Sequence, residues 1–428
     1  MPPRERLRRR QVVTVALLMT GYAGYYLCRS NLSVALPLLQ HELTTQGMSS
    51  ADALIRLGTL TSMGVLAYAF GKLVLAGTAD VFGGRRTFLT GMAGAVIFTG
   101  LFSLGGGLPL FTVAWIGNRL VQSIGWAGVV KVSSRWFSYS VYGTVMGALS
   151  LSYLFGDALA RAGMGLLLQW GYGWPAMFRV SAGVLFVLFV ANLVWLRESR
   201  VELGYEAPVL HPRNVYRDET VATSGVGSIL APLARNGSFW VVCVLSLGCT
   251  LVREAFNIWT PMYFYDAGRF TPGDAAQMSA LFPFVGGLSV IAAGIVGDRL
   301  GVRGRETLLA CGLALTTVAL LVLAMGPSTR SPSATVALVM LVAFALIGPY
   351  SYLGGALAMD FGGERGSATA SGVIDGIGYF GAVLAGDSIG RISVAFGWSG
   401  AFLALGAVAA LSTIAAMMLF VLRGRAAS

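Results

Sequence analysis

The chain has 428 residues, of which 56% are hydrophobic and 11% charged, and its mean hydropathy is +0.72. These proportions exclude a soluble globular protein, because so much apolar surface could not be buried within a chain of this length in water. The formal net charge of +11 needs no nucleic-acid partner if the excess lies in short loops beside anionic lipid headgroups.

In chain order, a basic run of Arg4, Arg6, Arg8, Arg9 and Arg10 leads directly into an apolar stretch. That stretch is too long for the hydrophobic region of a removable signal and lacks an obvious small-residue cleavage site, so it is expected to remain as the first helix. Windows able to span roughly 30 Å of hydrocarbon recur about twelve times. Their approximate limits are 12–37, 55–78, 87–105, 109–134, 143–169, 174–196, 237–265, 275–297, 306–326, 333–359, 367–390 and 399–422. With an even count, Arg85/Arg86, Lys131/Arg135, the central loop, Arg299/Arg303/Arg305, Arg365 and Arg423/Arg425 share the side of the N-terminus. The opposite loops hold Arg56, Arg269, Arg330 and Arg391, with Arg179 near a helix start. Both termini are therefore expected in the cytoplasm, and a bacterial inner membrane is the expected location.

The first window carries Tyr22, Tyr25 or Tyr26, and Arg29 at spacings of three, four and seven, which puts them on one helix face. A guanidinium at membrane depth costs about 2.5–3.5 kcal/mol on the insertion scale, so it needs a partner or a purpose. Phenolic hydroxyls and a planar guanidinium fork together suit the oxygens of a phosphate. In the second window Lys72 follows Tyr68 by one turn, either facing the same cavity or snorkelling toward the nearby cytoplasmic loop. The fourth carries Arg119-x-x-Gln122-x-x-Gly125, and the fifth carries Asp157 and Arg161, spaced to pair on one helix. A second arginine, Arg253, lies in the seventh window beside Glu254, and Asp375 and Asp387 enter the eleventh. The structural alternative pairs each arginine with a carboxylate, Asp375 for Arg29 and Glu254 for Arg253. Alternatively, Asp375 binds a cationic group of a substrate or takes up a proton. Cys28, Cys243, Cys249 and Cys311 lack metal-ligand spacing and read as buried small side chains, with neither disulfide nor metal implied. His41 and His211 are expected in solvated loops.

The chain is built twice. Asp80-x-x-Gly83-x-Arg85 follows the second window and Asp298-x-x-Gly301-x-Arg303 the eighth, while Tyr142-Gly143-Thr144 parallels Arg365-Gly366-Ser367. The longest polar stretch, with Pro208, Pro212 and Pro232, lies between the halves. The expected fold is an all-α membrane protein of twelve transmembrane helices in two pseudo-symmetric six-helix bundles. The expected parts are an N-terminal bundle 1–196, a cytoplasmic linker 197–236 and a C-terminal bundle 237–428. Two such bundles around a central site form a transporter plan.

The Asp-x-x-Gly-x-Arg loops resemble the signature of the major facilitator superfamily. Gly21-Tyr22-Ala23-Gly24-Tyr25-Tyr26-Leu27-Cys28-Arg29-Ser30-Asn31 is similar to the first helix of its organophosphate:phosphate antiporters. Lys72 in Tyr68-Ala69-Phe70-Gly71-Lys72, Gly125-Trp126, Arg135-Trp136-Phe137-Ser138, Arg253 with Trp259-Thr260-Pro261-Met262-Tyr263, and Gly378-Tyr379-Phe380-Gly381 resemble that family's motifs in its chain order. The resemblance assigns phosphate binding to Arg29 and Arg253 and makes Tyr379 a cavity aromatic, with a packing tyrosine as the other reading. It also marks departures. Tyr153 stands where the glycerol-phosphate members carry histidine, Asp157 stands where the pattern has glycine, and Arg119 is a feature of proton-coupled facilitators instead.

The function expected is exchange of an organophosphate, a sugar phosphate or similar ester, for inorganic phosphate by alternating access. Arg29, Arg253, Lys72, Tyr22, Tyr26, Tyr68, Tyr153, Trp259, Tyr379 and Asp375 are the expected substrate residues. Asp80, Arg85, Arg86, Asp298, Arg303 and Arg305 are read as a gating latch at the cytoplasmic helix ends. A proton-coupled carrier of another organic anion and a non-transporting sugar-phosphate sensor are the alternatives. No enzyme is expected, since no nucleophile with a base, metal cluster or nucleotide loop is present. No cofactor or metal is expected, and the partners are a small anion and the lipid bilayer, not nucleic acid, with the chain as a monomer.

Overall fold

The computed structural model describes residues 3–75, 79, 82–208, 233–266, 270–300, 304–326 and 331–425. Side chains are described at fewer positions; 139–144 and 358–369 are not among them. Among the described residues none lies in a strand, and the helices are α1 (Pro3–Thr45), α2 (Ser50–Leu75), α3 (Gly84–Phe102), α4 (Leu108–Gln122), α5 (Gly125–Trp136), α6 (Tyr139–Gln169), α7 (Trp174–Trp195), α8 (Gly237–Asp266), α9 (Pro272–Ser279), α10 (Leu281–Arg299), α11 (Gly304–Ala324), α12 (Pro332–Tyr352) and α13 (Ala358–Arg425). Hydrocarbon offers the backbone no hydrogen bonds, so a spanning segment must satisfy its own amides, as a helix does. Pro272 and Pro332 open α9 and α12, and the hydroxyls of Thr271 and Ser331 accept from Asp274 N and Ala334 N.

Nine helices among the described residues are long and apolar enough to cross a membrane. Three of the twelve expected windows escape that count for physical reasons. Arg85 and Arg86 in the first turn of α3 dilute its hydropathy, and the fourth window is divided at Ser123-Ile124 into α4 and α5. The third reason is a reversal inside α13. Gly378 and Ser412 would lie about 50 Å apart on a straight helix. Yet Gly378 packs on Ser246 and Thr250 while Ser412 packs on Gly248, all within two turns of α8. Gly397, at φ +67°, provides the left-handed residue at which the last two spans fold back on each other.

Two expectations need correction. His41 lies in α1, exposed, because that helix continues past Pro37 into a polar extension that hydropathy does not register. Cys311 is exposed on α11, a helix long and apolar enough to cross a bilayer, where an outward position needs no burial in protein, whereas Cys28, Cys243 and Cys249 are buried. His211 lies outside the described residues.

The chain divides into two compact units, one of 1–39 with 63–217 and one of 40–62 with 218–428. In the first, Leu18, Tyr22, Tyr25 and Cys28 of α1 form a core with Phe88 and Met92 of α3, Val129, Val132 and Trp136 of α5, and Leu185 of α7. Small residues allow close approach, as expected where lipid gives no hydrophobic drive between helices. A Cβ on Gly84 would come within 2.9 Å of the Gly128 carbonyl. At one end of this unit Glu198 accepts from the amides of Gly84 (2.8 Å) and Arg85 (2.7 Å) and from the Arg135 guanidinium (2.8 Å), a carboxylate at a helix N-terminus.

In the second unit, residues 40–62 are tied to α13. Thr59 donates to Asp387 Oδ1 at 2.6 Å, Ser62 donates to the Val383 carbonyl at 2.6 Å, and Asp387 N donates to Ser62 Oγ at 2.8 Å. Asp387 also accepts from Arg391 Nε at 2.8 Å. Gly58 and Gly386 leave no room for a Cβ at this crossing, since one on Gly58 would stand 2.9 Å from the Gly386 carbonyl.

Candidate functional site

The helical period of α1 separates its tyrosines. Tyr25 turns into the core, 1% exposed, and donates to the Phe88 carbonyl at 2.7 Å. Tyr26, half-buried, stays on the Arg29 side, so it is Tyr26 and not Tyr25 that shares the polar face. Tyr22 packs between them, with ring centroids 5.7 Å from Tyr25, 5.9 Å from Tyr26 and 5.1 Å from Trp126. Tyr153 of α6 closes on Tyr26 at 6.0 Å.

Arg29 lies 5.2 Å from the Tyr26 ring and 4.6 Å from that of Tyr68. Tyr68 is 2% exposed and gathers two further cations. The Lys72 ammonium sits 5.5 Å from its ring and the Arg119 guanidinium 4.8 Å. Lys72 thus turns back over the preceding turn of α2. Three cations on one aromatic ring form a concentrated positive field in a medium of low dielectric, where charge interactions are many times stronger than in water. Nearby, Asp157 is engaged on two sides, accepting from Ser30 Oγ and from Arg161 Nε at 3.0 Å. Both members of that ion pair are buried, at 3% and 8% side-chain exposure.

The α4 residues that hold this arrangement are hard to read from sequence. Asn118 donates to Thr99 Oγ1 at 2.8 Å, Gln122 donates to Asn118 Oδ1 at 2.7 Å, and Gln122 also reaches the Cys28 carbonyl at 3.3 Å. α4 is thereby fastened to the residue before Arg29. The Arg119-x-x-Gln122 spacing was the available signal, yet it does not say which ring Arg119 meets.

In the second unit, Ser246, Thr250 and Arg253 recur on α8 at the spacing of Tyr22, Tyr26 and Arg29. Arg253 lies 4.8 Å from the Tyr350 ring, and its Nη2 is 3.9 Å from Glu254 Oε2. Glu254 accepts from Asn257 at 3.1 Å, and Thr250 donates to the Tyr350 hydroxyl at 3.3 Å. Asp375, half-buried, presses on Gly354, where a Cβ would stand 2.7 Å from its Oδ1. Gly354 belongs to a π-helical turn, Leu353–Leu357, a distortion that concentrates at functional sites. Tyr379 follows Asp375 by one turn and is half-buried. Sequence reasoning missed Tyr350, whose one signal was the preceding Pro349 within a span.

Trp259 has a different setting. It is 3% exposed, donates from Nε1 to the Ala385 carbonyl at 2.8 Å, and packs 6.2 Å from Trp398. Of the gating residues, Arg85 donates from Nε to the Leu196 carbonyl and from Nη2 to that of Leu193, both at 2.6 Å. It therefore caps the C-terminal end of α7 within its own unit. Arg86 is exposed and Arg305 half-buried. Asp80, Arg303 and the side chain of Asp298 lie outside the described residues.

Residues 18–386 match the Major Facilitator Superfamily. The chain is 24% identical to the glycerol-3-phosphate transporter of Bacillus subtilis over 91% of this chain and 87% of that protein. It is 27% identical to the glucose-6-phosphate exchanger SLC37A2 of Danio rerio over 81% and 75% of the two chains. Among solved structures, a bacterial homologue of the human lysosomal transporter Spinster superposes with a TM-score of 0.77 at 14% identity, covering 98% of this chain and 97% of that one. A multi-pass helical bundle with these relatives is an integral membrane protein, and the chain belongs to the Major Facilitator Superfamily.

Proposed function

We propose that this protein exchanges an organophosphate for inorganic phosphate by alternating access, in a bacterial inner membrane with both termini cytoplasmic. On this reading residues 1–196 and 237–428 form the two six-helix bundles and 197–236 the linker. The observation that carries the proposal is the gathering of Arg29 and Lys72, with Arg119, on Tyr68 in the membrane interior. Arg253 over Tyr350 supplies a further guanidinium. The exchanger among the relatives supports antiport.

Charge gives the mechanism. A cation cluster is tolerable in contact with water and costly once water is excluded. A phosphate or ester of about minus 1.5 to minus 2 charge offsets that cost, so the loaded form crosses faster than the empty one. Exchange follows from that difference. Arg29 and Arg253 grip phosphoryl oxygens through their planar donors. Tyr22, Tyr26, Tyr153 and Trp259 hold the organic group, and Tyr379 and Asp375 complete the site. Asp80, Arg85, Arg86, Asp298, Arg303 and Arg305 act at the gate.

Proteoliposomes loaded with or without inorganic phosphate test the proposal. Uptake of labelled phosphate is expected only into loaded vesicles. Equal uptake into empty ones contradicts obligatory exchange, and uptake driven by a pH gradient without internal phosphate identifies a proton-coupled carrier.

A further inference from the structure

Arg119 is 2% exposed, yet its guanidinium lies on the same ring as Arg29 and Lys72. The placement is built. Gly64, Tyr68 and Lys72 recur every fourth residue on one face of α2. A Cβ at Gly64 would fall on the Trp115 indole and within 3.0 Å of Arg119 Cγ. Glycine there leaves the passage through which the arginine of α4 reaches Tyr68. Asn118 and Gln122, on either side of Arg119 in sequence, lock α4 to Thr99 and to the Cys28 carbonyl, and so hold Arg119 in register with Arg29.

A phosphate monoester carries at most two negative charges, and two guanidinium forks suffice to grip it. This protein gathers three cations on Tyr68 alone, Arg29, Lys72 and Arg119. An arginine also stays protonated under all physiological conditions, so its charge is permanent. We infer that Arg119 is a specificity-determining residue, placing behind Tyr68 a positive charge that favours phosphate esters bearing a second anionic group over esters whose organic half is neutral. The inference rests on the phosphate-exchange reading of the site. Arg119 acts through its field across Tyr68, at a range where charges in a partly dehydrated site still interact strongly.

Glycerol 3-phosphate and 3-phosphoglycerate are the probes, because they differ in an alcohol against a carboxylate on one terminal carbon. Each competes against labelled phosphate binding to the full-length protein in nanodiscs, for wild type, Arg119→Gln and Arg119→Lys. Wild type is expected to favour 3-phosphoglycerate by about tenfold, as an added charge pair at this range allows. Arg119→Gln is expected to bring that ratio near one by weakening 3-phosphoglycerate more than glycerol 3-phosphate or phosphate, and Arg119→Lys to retain most of the preference. A flat wild-type ratio, or an Arg119→Gln protein that weakens phosphate and both esters by one common factor, overturns the inference. If Arg119→Gln does not fold, the wild-type ratio and the Arg119→Lys ratio still decide. Wild-type protein that binds neither phosphate nor either ester overturns the phosphate reading itself, whereas phosphate binding with a flat ratio overturns the inference about Arg119 alone.

Discussion

Arg29 and Arg253 each lie over a tyrosine, 4.6 Å from Tyr68 and 4.8 Å from Tyr350, but the charges around the two rings are balanced differently. Tyr68 collects Lys72 and Arg119 as well, while Arg253 sits at 3.9 Å from Glu254 in a unit that also brings Asp375 against the π-helical turn. A repeated sequence has therefore yielded one half with three cations on a single ring and one with a carboxylate 3.9 Å from its arginine. The lesson is that internal symmetry preserves where a helix puts its arginine, while neighbours from other helices set the field that the arginine works in.

Four measurements break or sharpen this contrast. The largest effect is expected from Asp157→Ala. Removing the carboxylate leaves Arg161 buried without its partner at a cost of about 3–5 kcal/mol. Thermal unfolding in detergent should show a large loss, and the double variant Asp157→Ala/Arg161→Ala should recover part of it. Unchanged melting would mean that the pair contributes nothing.

Arg29→Gln and Arg253→Gln come next, each expected to cost about 2–5 kcal/mol of substrate affinity, or roughly 30- to several thousand-fold. If the contrast holds, the Arg253 variant loses more, because the other half keeps Lys72 and Arg119. Equal losses in phosphate competition would show that the extra cations do not contribute. Gly386→Ala is smaller. Its Cβ would meet Ser62 Oγ at 2.5 Å and the Gly58 carbonyl at 2.6 Å, so about 1–3 kcal/mol of overpacking should appear as faster proteolysis or hydrogen exchange in 40–62. Protection equal to wild type in that segment would contradict the packing. Smallest is Tyr68→Phe, for which Tyr68→Ala is the control of larger effect. All three cations lie 4.6–5.5 Å from the ring centroid, so phenylalanine should keep binding to within about 1 kcal/mol while alanine should forfeit about 0.5–2 kcal/mol for each cation it releases. Equal losses in both variants would shift the role to the hydroxyl.

Much of this was legible in the chain itself. Composition set the solvent, and the spacing of apolar windows set the helices, because crossing hydrocarbon is a requirement that each segment meets locally. Arg29 and Arg253 stood out for a similar reason: a charge inside such a window is costly wherever the helix ends up. The period of α1 left Tyr25 and Tyr26 unresolved, since adjacent residues sit about 100° apart and a lone helix does not say which way is inward. Packing on Phe88 sent Tyr25 into the core.

What the sequence determined by itself was therefore everything governed by a single segment and its solvent: an all-helical membrane fold, its repeat, and the arginines placed within it. The tertiary structure decided what depends on two segments meeting. Tyr68 became the ring shared by three cations, Tyr350 the ring under Arg253, and residues 40–62 were bound to α13. Local patterns carry no record of such meetings, because the partners lie tens or hundreds of residues apart and only the packed helices bring them within a few ångströms.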